Sequence, residues 1–222
     1  MTQKPTQPFL GLPGGDIILA SASVTRQNIL TAAGLDFRIL PASVDEPAVR
    51  AAAHADSMTA DEIAVLLAEL KANAAFQALP TVMPDVAAPY ILGCDQILVF
   101  DEKVISKPES LSAAKDQLYA LAGHQHKLLT AIVLTRNGQR IWHHLGTAAL
   151  TMRRMDKPFI DAYVRYLGPA ALASPGGYQI EGIGASLFSL IDGDHFDILG
   201  LPLMPLLAIL REHGLAPIAA AI

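Results

Sequence analysis

The 222-residue chain is short of several features that mark common classes of protein. It has one cysteine, Cys94, so an intramolecular disulfide is excluded and a reducing, cytoplasmic compartment is expected. Its 16 lysines and arginines are outnumbered by 21 acidic residues, and the net charge of −5 leaves no broad basic surface for a nucleic acid polymer. A disulfide scaffold and a duplex-binding protein are therefore excluded, whereas a small anionic ligand needs only a few well-placed cations.

Long apolar runs are also missing, although the mean hydropathy of +0.36 is high. A membrane-spanning helix needs about 20 mostly apolar residues. The two best stretches, 163–191 and 199–222, are interrupted by glycines and prolines, and the second also contains Arg211 and Glu212. Residues 1–15 lack the apolar core of a signal peptide and are expected to form a flexible leader. We expect no membrane segment.

Apolar periodicity predicts strands that alternate with helices. A strand beginning at Asp16 leads into a helix capped by Ser23, and Thr59 opens a long helix that Pro80 is expected to close. Asn137-Gly138 indicates an antiparallel hairpin, so a mixed α/β sheet flanked by helices is expected in a single domain over 16–222. The remaining expectations are strands at 37–40, 90–100, 127–135, 140–152, 178–181 and 185–191, a turn at 45–47, and helices at 112–121, 156–168 and 203–213.

Carboxylates occupy two places that suggest chemistry. Asp95 lies inside an apolar strand, where a buried carboxylate needs a partner or a metal, although hydrogen bonds to loop amides would also satisfy it. Asp45 and Glu46 follow the second strand and can be read as solvated turn residues. Together with Asp95 they could instead supply oxygen ligands to Mg²⁺, which is commonly held by one or two carboxylates plus substrate phosphates.

Cations and hydroxyls suggest a phosphate site. Ser21 and Ser23 join a strand to a helix N-terminus, where free amides favour an anion. Arg26 lies in the first turn of that helix, where a cation is unfavourable because it opposes the helix dipole. This position suggests a functional role for Arg26, and an ordinary surface arginine is the alternative. Lys71 and Lys107 are candidate phosphate ligands or surface lysines.

Motifs for several other site types are absent from the sequence. It has neither the GxGxxG fingerprint nor the GxxxxGK[ST] phosphate loop, which weakens both dinucleotide-binding and P-loop readings. Its histidines lack the HExxH spacing of a zinc site, and the aspartates at 192, 194 and 197 lack the glutamate that closes a calcium loop.

The ordered set of these segments resembles the Maf proteins over about residues 16–214. The segments that carry the resemblance are LASAS with Arg26, Val44-Asp-Glu46, Glu-Leu-Lys71-Ala, Gly93-Cys-Asp-Gln96, Lys107-Pro108, Leu121-Ala-Gly123 with His126, Gly177-Tyr-Gln-Ile-Glu-Gly182 and Gly200-Leu-Pro-Leu203. The resemblance implies a two-lobed fold with a central cleft, related to that of the inosine triphosphatases.

The resemblance also implies an activity and roles for individual residues. The expected reaction is hydrolysis of a nucleoside triphosphate between the α and β phosphates, which gives a monophosphate and pyrophosphate. Asp95 matches the proton acceptor that activates water, and Glu46 and Asp95 match the ligands of a divalent cation, Mg²⁺ or Mn²⁺. Phosphate contacts are implied for Arg26, Lys71 and Lys107, in line with the anion site at Ser21 and Ser23. The family allows a homodimer.

Four positions bear on the choice of nucleotide. Gln96 and Glu181 resemble the branch that acts on 7-methyl-GTP, since a carboxylate at 181 could accept hydrogen bonds from the guanine N1 and N2 groups. Thr25 and Gln27 depart from the arginine or aromatic residues of other members. Two alternatives therefore stay open: a dTTP or UTP pyrophosphatase, and an interaction protein of septum formation.

Overall fold

A computed structural model describes residues 17–216 of the chain. The expected leader at 1–15 lies outside the described residues. The strands are β1 (Ile17–Leu19), β2 (Arg38–Ile39), β3 (Tyr90–Phe100), β4 (Lys103–Ile105), β5 (Gln125–Arg136), β6 (Gln139–Met152) and β7 (Phe188–Asp192). The helices are α1 (Val24–Ala32), α2 (Glu46–Ala55), α3 (Ala60–Val82), α4 (Leu111–Leu121), α5 (Lys157–Leu167), α6 (His195–Ile198) and α7 (Leu203–Glu212).

The seven strands form one mixed sheet in the order β2-β1-β3-β5-β6-β7, with β4 paired to β3. Strand β1 runs parallel to β2 and to β3, whereas β4 is antiparallel to β3 and β7 is antiparallel to β6. The α/β class with a mixed sheet and flanking helices is therefore confirmed. Of the helices in residues 17–216, none combines the length and the apolar character needed to cross a bilayer.

The chain divides into two compact units. Unit 1 contains the described residues up to Asp95, then Ala131–Leu145 and the chain from Gly200 onward; unit 2 contains Gln96–Thr130 and Gly146–Leu199. One crossing point from unit 1 to unit 2 therefore falls inside β3, between Asp95 and Gln96.

Small residues bring a helix and a strand together in the core of unit 1. The core includes Ile18, Ala20 and Ile91 from the sheet region and Ala72, Ala75 and Leu79 from α3. At Gly93 a Cβ atom would overlap the carbonyl oxygen of Ala68 and would lie 3.0 Å from the Cβ of Ala72. Glycine and alanine are therefore required for the close approach of β3 to α3.

In the core of unit 2, a buried histidine pairs with a buried tyrosine. His126 and Tyr178 are 2% and 5% exposed, and the imidazole Nε2 lies 2.8 Å from the Tyr178 hydroxyl oxygen in a hydrogen bond. Tyr178 also contacts Phe188 edge-on, at 4.9 Å between ring centroids. Leucines and other apolar side chains from α4, α5 and the sheet surround this pair.

The structure corrects two helix predictions. Residues 45–47 do not form a simple turn: Asp45 accepts a hydrogen bond from the amide of Ala48 and opens α2, and Pro47 occupies the first turn, where its missing N–H costs nothing. Helix α3 runs past Pro80 to Val82. Only two residues of helix follow that proline, which limits the disruption to the final turn.

Two strand predictions also need correction. Residues 178–181 form no strand, because Gly176 and Gly177 adopt left-handed backbone (φ 78° and 69°) and short 3₁₀ turns follow. The last strand is β7, which begins at Phe188 rather than near 185. The unpredicted strand β4 follows a tight turn whose Asp101 and Glu102 have φ of 53° and 61°, a geometry usually signalled by glycine or asparagine.

Candidate functional site

A lysine on α3 connects two carboxylates in unit 1. The Nζ of Lys71 lies 2.5 Å from Oδ1 of Asp95 on β3 and 2.7 Å from Oε1 of Glu46 on α2. The close approach of β3 to α3 at Gly93 accounts for this contact: Gly93 and Asp95 lie two residues apart on the same face of the strand, and Lys71 stands between Ala68 and Ala72 on the helix.

Asp95 combines burial with an unsatisfied oxygen. The residue is 3% exposed, and its Oδ2 atom has no hydrogen-bond partner among the described residues. Burial raises the pKa of Asp95, the positive charge of Lys71 acts against that rise, and the negative charge of Glu46 adds to it. A buried carboxylate with a raised pKa and one open oxygen is a good proton acceptor.

The N-terminus of α1 holds an arginine in a fixed position. Ser23 caps the helix by accepting the amide of Arg26. The Arg26 guanidinium donates from Nε to the carbonyl of Gly200 (2.7 Å), and from Nη1 to Ser21 Oγ (3.0 Å) and the carbonyl of Cys94 (3.1 Å). All three acceptors are uncharged, so these hydrogen bonds orient Arg26 without neutralising it.

Arg50 belongs to this site although sequence analysis did not single it out. Its Nη2 donates to Oε2 of Glu46 at 3.0 Å, and the two residues are one helical turn apart on α2. An i,i+4 spacing of glutamate and arginine is the signal that could have identified the pair, but it becomes visible only if 46–55 is recognised as a helix. Both oxygens of Glu46 therefore contact cations.

We call Arg26, Glu46, Arg50, Lys71 and Asp95 the ionic cluster. It carries three cations and two carboxylates, a formal surplus of one positive charge that suits a phosphate ligand. Within residues 17–216, no three histidine, cysteine, aspartate or glutamate side chains gather to hold a metal. The donor set of Glu46 and Asp95, with one open buried oxygen, fits the mode in which two carboxylates share an ion with substrate phosphates.

Cys94 lies beside the cluster without the character of a nucleophile. The thiol is fully buried, and burial raises its pKa to about 11 in spite of the nearby positive charges of Arg26 and Lys71. A thiol in that state is protonated at neutral pH and acts as packing, as the sequence indicates.

Gln96 lies in a neutral network of unit 2. Its Nε2 lies within hydrogen-bond distance of Thr130 Oγ1 (2.8 Å), the carbonyl of Asp197 (2.9 Å) and the carbonyl of Ile198 (3.1 Å). Thr130 in turn donates to the same Asp197 carbonyl at 2.7 Å. The hydrogen-bonding capacity of the Gln96 amide nitrogen is thus satisfied within the protein. No sequence signal predicted the contacts of Gln96 with Thr130 or with the carbonyl of Asp197, since they join segments far apart in the chain.

The structure brings only part of the predicted site together. Ser21, Ser23, Arg26, Glu46, Lys71 and Asp95 form one connected group in unit 1. Thr25 is half-buried in the first turn of α1, and Lys107 and Glu181 are exposed residues of unit 2. The roles of these three in nucleotide binding remain predictions from the resemblance.

Comparison with known proteins decides the family. A family model described as Maf-like protein matches residues 16–213. The chain belongs to this family. It is 44% identical over 198 residues to a 7-methyl-GTP pyrophosphatase of Mesorhizobium japonicum, which covers 89% of this chain and 96% of that protein.

Other relatives carry related names. A 7-methyl-GTP pyrophosphatase of Brucella abortus is 41% identical over 197 residues, with 89% of this chain and 96% of the relative covered. A nucleoside triphosphate pyrophosphatase of Rhodospirillum rubrum is 41% identical over 198 residues, with 89% and 95% covered. The Maf-like match thus extends over both units of the chain.

Proposed function

We propose that this chain hydrolyses nucleoside triphosphates to nucleoside monophosphates and pyrophosphate, as a housecleaning pyrophosphatase. The observation that supports this most strongly is the buried Asp95, which keeps one oxygen on Lys71 and the other open within a cluster of net positive charge. The names of the Maf-like relatives support the same reaction class.

In the proposed reaction, Asp95 Oδ2 accepts a proton from a water molecule. The water oxygen attacks the α-phosphorus, the bond from that phosphorus to the bridging oxygen breaks, and pyrophosphate leaves with the bonding electron pair. Lys71 holds Oδ1 of the same carboxylate and fixes the direction of Oδ2. General-base catalysis of this kind contributes about 10²- to 10⁴-fold to a rate.

Positive charge is the second requirement, since phosphoryl transfer depends mainly on positioning and on stabilisation of phosphate charge. Arg26 is oriented by Ser21 and two backbone carbonyls and keeps its charge available to a phosphate. Lys107 is a further phosphate contact that the resemblance implies. Glu46 and Asp95 would hold Mg²⁺ or Mn²⁺, which would supply further positive charge opposite the phosphate oxygens when bound.

The test is pyrophosphate release across a panel of triphosphates that includes 7-methyl-GTP, GTP, UTP and dTTP. Released pyrophosphate is converted by added inorganic pyrophosphatase and measured with malachite green, in Mg²⁺ or Mn²⁺. Asp95→Asn is expected to lower kcat about 1,000-fold or more. Asp85→Asn removes an exposed carboxylate of the same unit, paired with Arg38, and is the matched control. No turnover of any triphosphate by the wild type would overturn the proposal.

For the substrate we propose 7-methyl-GTP. An acidic side chain at Glu181 could accept hydrogen bonds from guanine N1 and N2 and would complement the positive charge of the methylated ring. Two of the relatives carry the name 7-methyl-GTP pyrophosphatase. Family members similar to the dTTP and UTP enzymes carry threonine and glutamine at these two positions, so exchanging Gln96 for threonine and Glu181 for glutamine should shift preference towards UTP or dTTP.

Gln96→Thr also removes the amide that contacts Thr130 and the carbonyls of Asp197 and Ile198, so the two exchanges are made separately as well as together. Glu109→Gln, at an exposed glutamate of unit 2, is the matched control for lost charge. Unchanged selectivity in the double variant contradicts the assignment of 7-methyl-GTP to these two residues, while leaving the reaction class intact.

A further inference from the structure

The two carboxylates of the ionic cluster are not equally open to a metal ion. Asp95 has one oxygen on Lys71 and one with no hydrogen-bond partner among the described residues. Glu46 has Oε1 on Lys71 at 2.7 Å and Oε2 on Arg50 at 3.0 Å. A divalent cation that uses Glu46 must therefore share or replace a contact that a protein cation already makes.

Of the two protein cations that contact Glu46, Arg50 is the one whose substitution tests this competition more cleanly. Lys71 contacts both carboxylates, so its removal changes Asp95 and Glu46 at once. Arg50 contacts Glu46 from the same helix, and its side chain is 19% exposed, which limits the screening of its charge by water. A variant at Arg50 can therefore alter Glu46 while the Lys71–Asp95 pair stays in place.

We propose that Arg50 is a positioning residue that sets the metal affinity of the site by competing with the divalent cation for Glu46. The guanidinium holds the carboxylate in the cluster, and its positive charge opposes a second cation on the same group. The site would then bind the metal ion more tightly once substrate phosphates add negative charge to it. The inference rests on the proposed function, because it concerns the metal site proposed there.

The experiment measures Mn²⁺ binding to the nucleotide-free protein by electron paramagnetic resonance of free Mn²⁺. Arg50→Met removes the charge while retaining a long side chain, and it is expected to tighten the Kd for Mn²⁺ by about three- to tenfold. Arg50→Lys keeps the charge and is expected to remain close to the wild type. Arg140→Met, which removes an arginine paired with Glu69 in the same unit, is the matched control and should leave the Kd unchanged.

A double-mutant cycle tests whether the effect passes through Glu46. In a Glu46→Gln background, Arg50→Met should no longer change the Kd for Mn²⁺. Thermal unfolding checks that each variant is folded, and Arg50→Gln replaces Arg50→Met if the latter does not fold. A merely structural role for Arg50 does not explain tighter metal binding, so the direction of the change is decisive.

Three results would overturn the inference. One is an unchanged or weaker Kd for Mn²⁺ in Arg50→Met, even if KM for the nucleotide rises, since Arg50 would then be a substrate contact. Another is a tightening that persists in the Glu46→Gln background. The third is absence of Mn²⁺ binding in every variant, including Arg50→Met. Pyrophosphate release is measured separately, so any of these results leaves the proposed reaction standing.

Discussion

Neighbouring residues of β3 belong to polar networks of opposite character. Asp95 belongs to the ionic cluster of unit 1, in which lysine and arginine contact carboxylates and one buried oxygen is open. Gln96 belongs to a neutral network of unit 2, in which an amide and a hydroxyl satisfy backbone carbonyls. Side chains alternate along a strand, so adjacent residues can serve different surroundings.

We therefore expect the ionic cluster of unit 1 to contribute mainly to catalysis and the neutral network of unit 2 mainly to stability. An ionic network with an unsatisfied oxygen retains capacity for a ligand or a proton, whereas a network of neutral hydrogen bonds has its capacity used within the protein. Substitutions in the ionic cluster should therefore act mainly on turnover. Substitutions among the buried polar residues of unit 2 should act mainly on the free energy of unfolding.

After Asp95→Asn, the largest effect is expected from Lys71→Met. Without Lys71, Asp95 loses the positive charge that opposes the rise of its pKa, and its remaining oxygen is no longer oriented. We expect kcat/KM for the preferred triphosphate to fall about 100- to 1,000-fold. Lys115→Met, at a lysine paired with Asp161 in unit 2, is the control and should retain activity. Near-normal turnover in Lys71→Met would show that the ionic cluster is not required for the reaction.

A pH dependence of stability is expected from His126. Burial lowers its pKa to about 4, whereas in the unfolded chain it takes up a proton near 6.5. The unfolded state therefore binds more protons between these values, and stability falls as pH is lowered through that range. Between pH 7.5 and 5, this should cost about 2 kcal/mol of unfolding free energy.

Urea unfolding at both pH values measures this effect. His126→Gln should lose that part of the pH dependence, and His54→Gln, at an exposed histidine, should keep it. Equal pH dependence in the wild type and His126→Gln would show that the buried imidazole is not held neutral.

A smaller effect on stability is expected from Gln96→Ala. The substitution leaves Thr130 and the carbonyls of Asp197 and Ile198 without the amide, and we expect a loss of about 1.5 kcal/mol in the free energy of unfolding. Gln117→Ala, which removes a half-buried side chain bonded to Ser106 and Gly176, is the comparison for an amide outside this network in the same unit. If Gln96→Ala abolished turnover of every triphosphate without destabilising the protein, the contrast between the networks would fail.

The smallest effect is expected at Cys94. Because burial raises the pKa of its thiol to about 11, native protein at pH 7.5 should react slowly with a thiol reagent such as dithionitrobenzoate. Protein unfolded in urea should react fully and supplies the control. Rapid labelling of the native protein would mean that the strand beside Asp95 opens readily.

Much of the architecture could be predicted from local signals. The capping box at Thr59 and Glu62 opens α3, and Asn137-Gly138 joins β5 to β6. Local signals gave wrong predictions where a tight turn or a helix start is formed by residues that are unusual at that place. Asp101 and Glu102 make a tight turn without glycine, and Asp45 with Pro47 starts a helix where the sequence favours a turn.

For the site, the sequence by itself determined that Asp95 is the leading candidate, because a carboxylate in an apolar strand is costly unless it has a partner; its catalytic role stays a prediction from the family resemblance. Only the tertiary structure decided which side chains contact Asp95. Lys71 contacts Asp95 and Glu46 because Gly93 admits α3 to the strand, and Arg50 contacts Glu46 because residues 46–55 form a helix. Such contacts depend on packing between distant segments, which no local pattern of residues records.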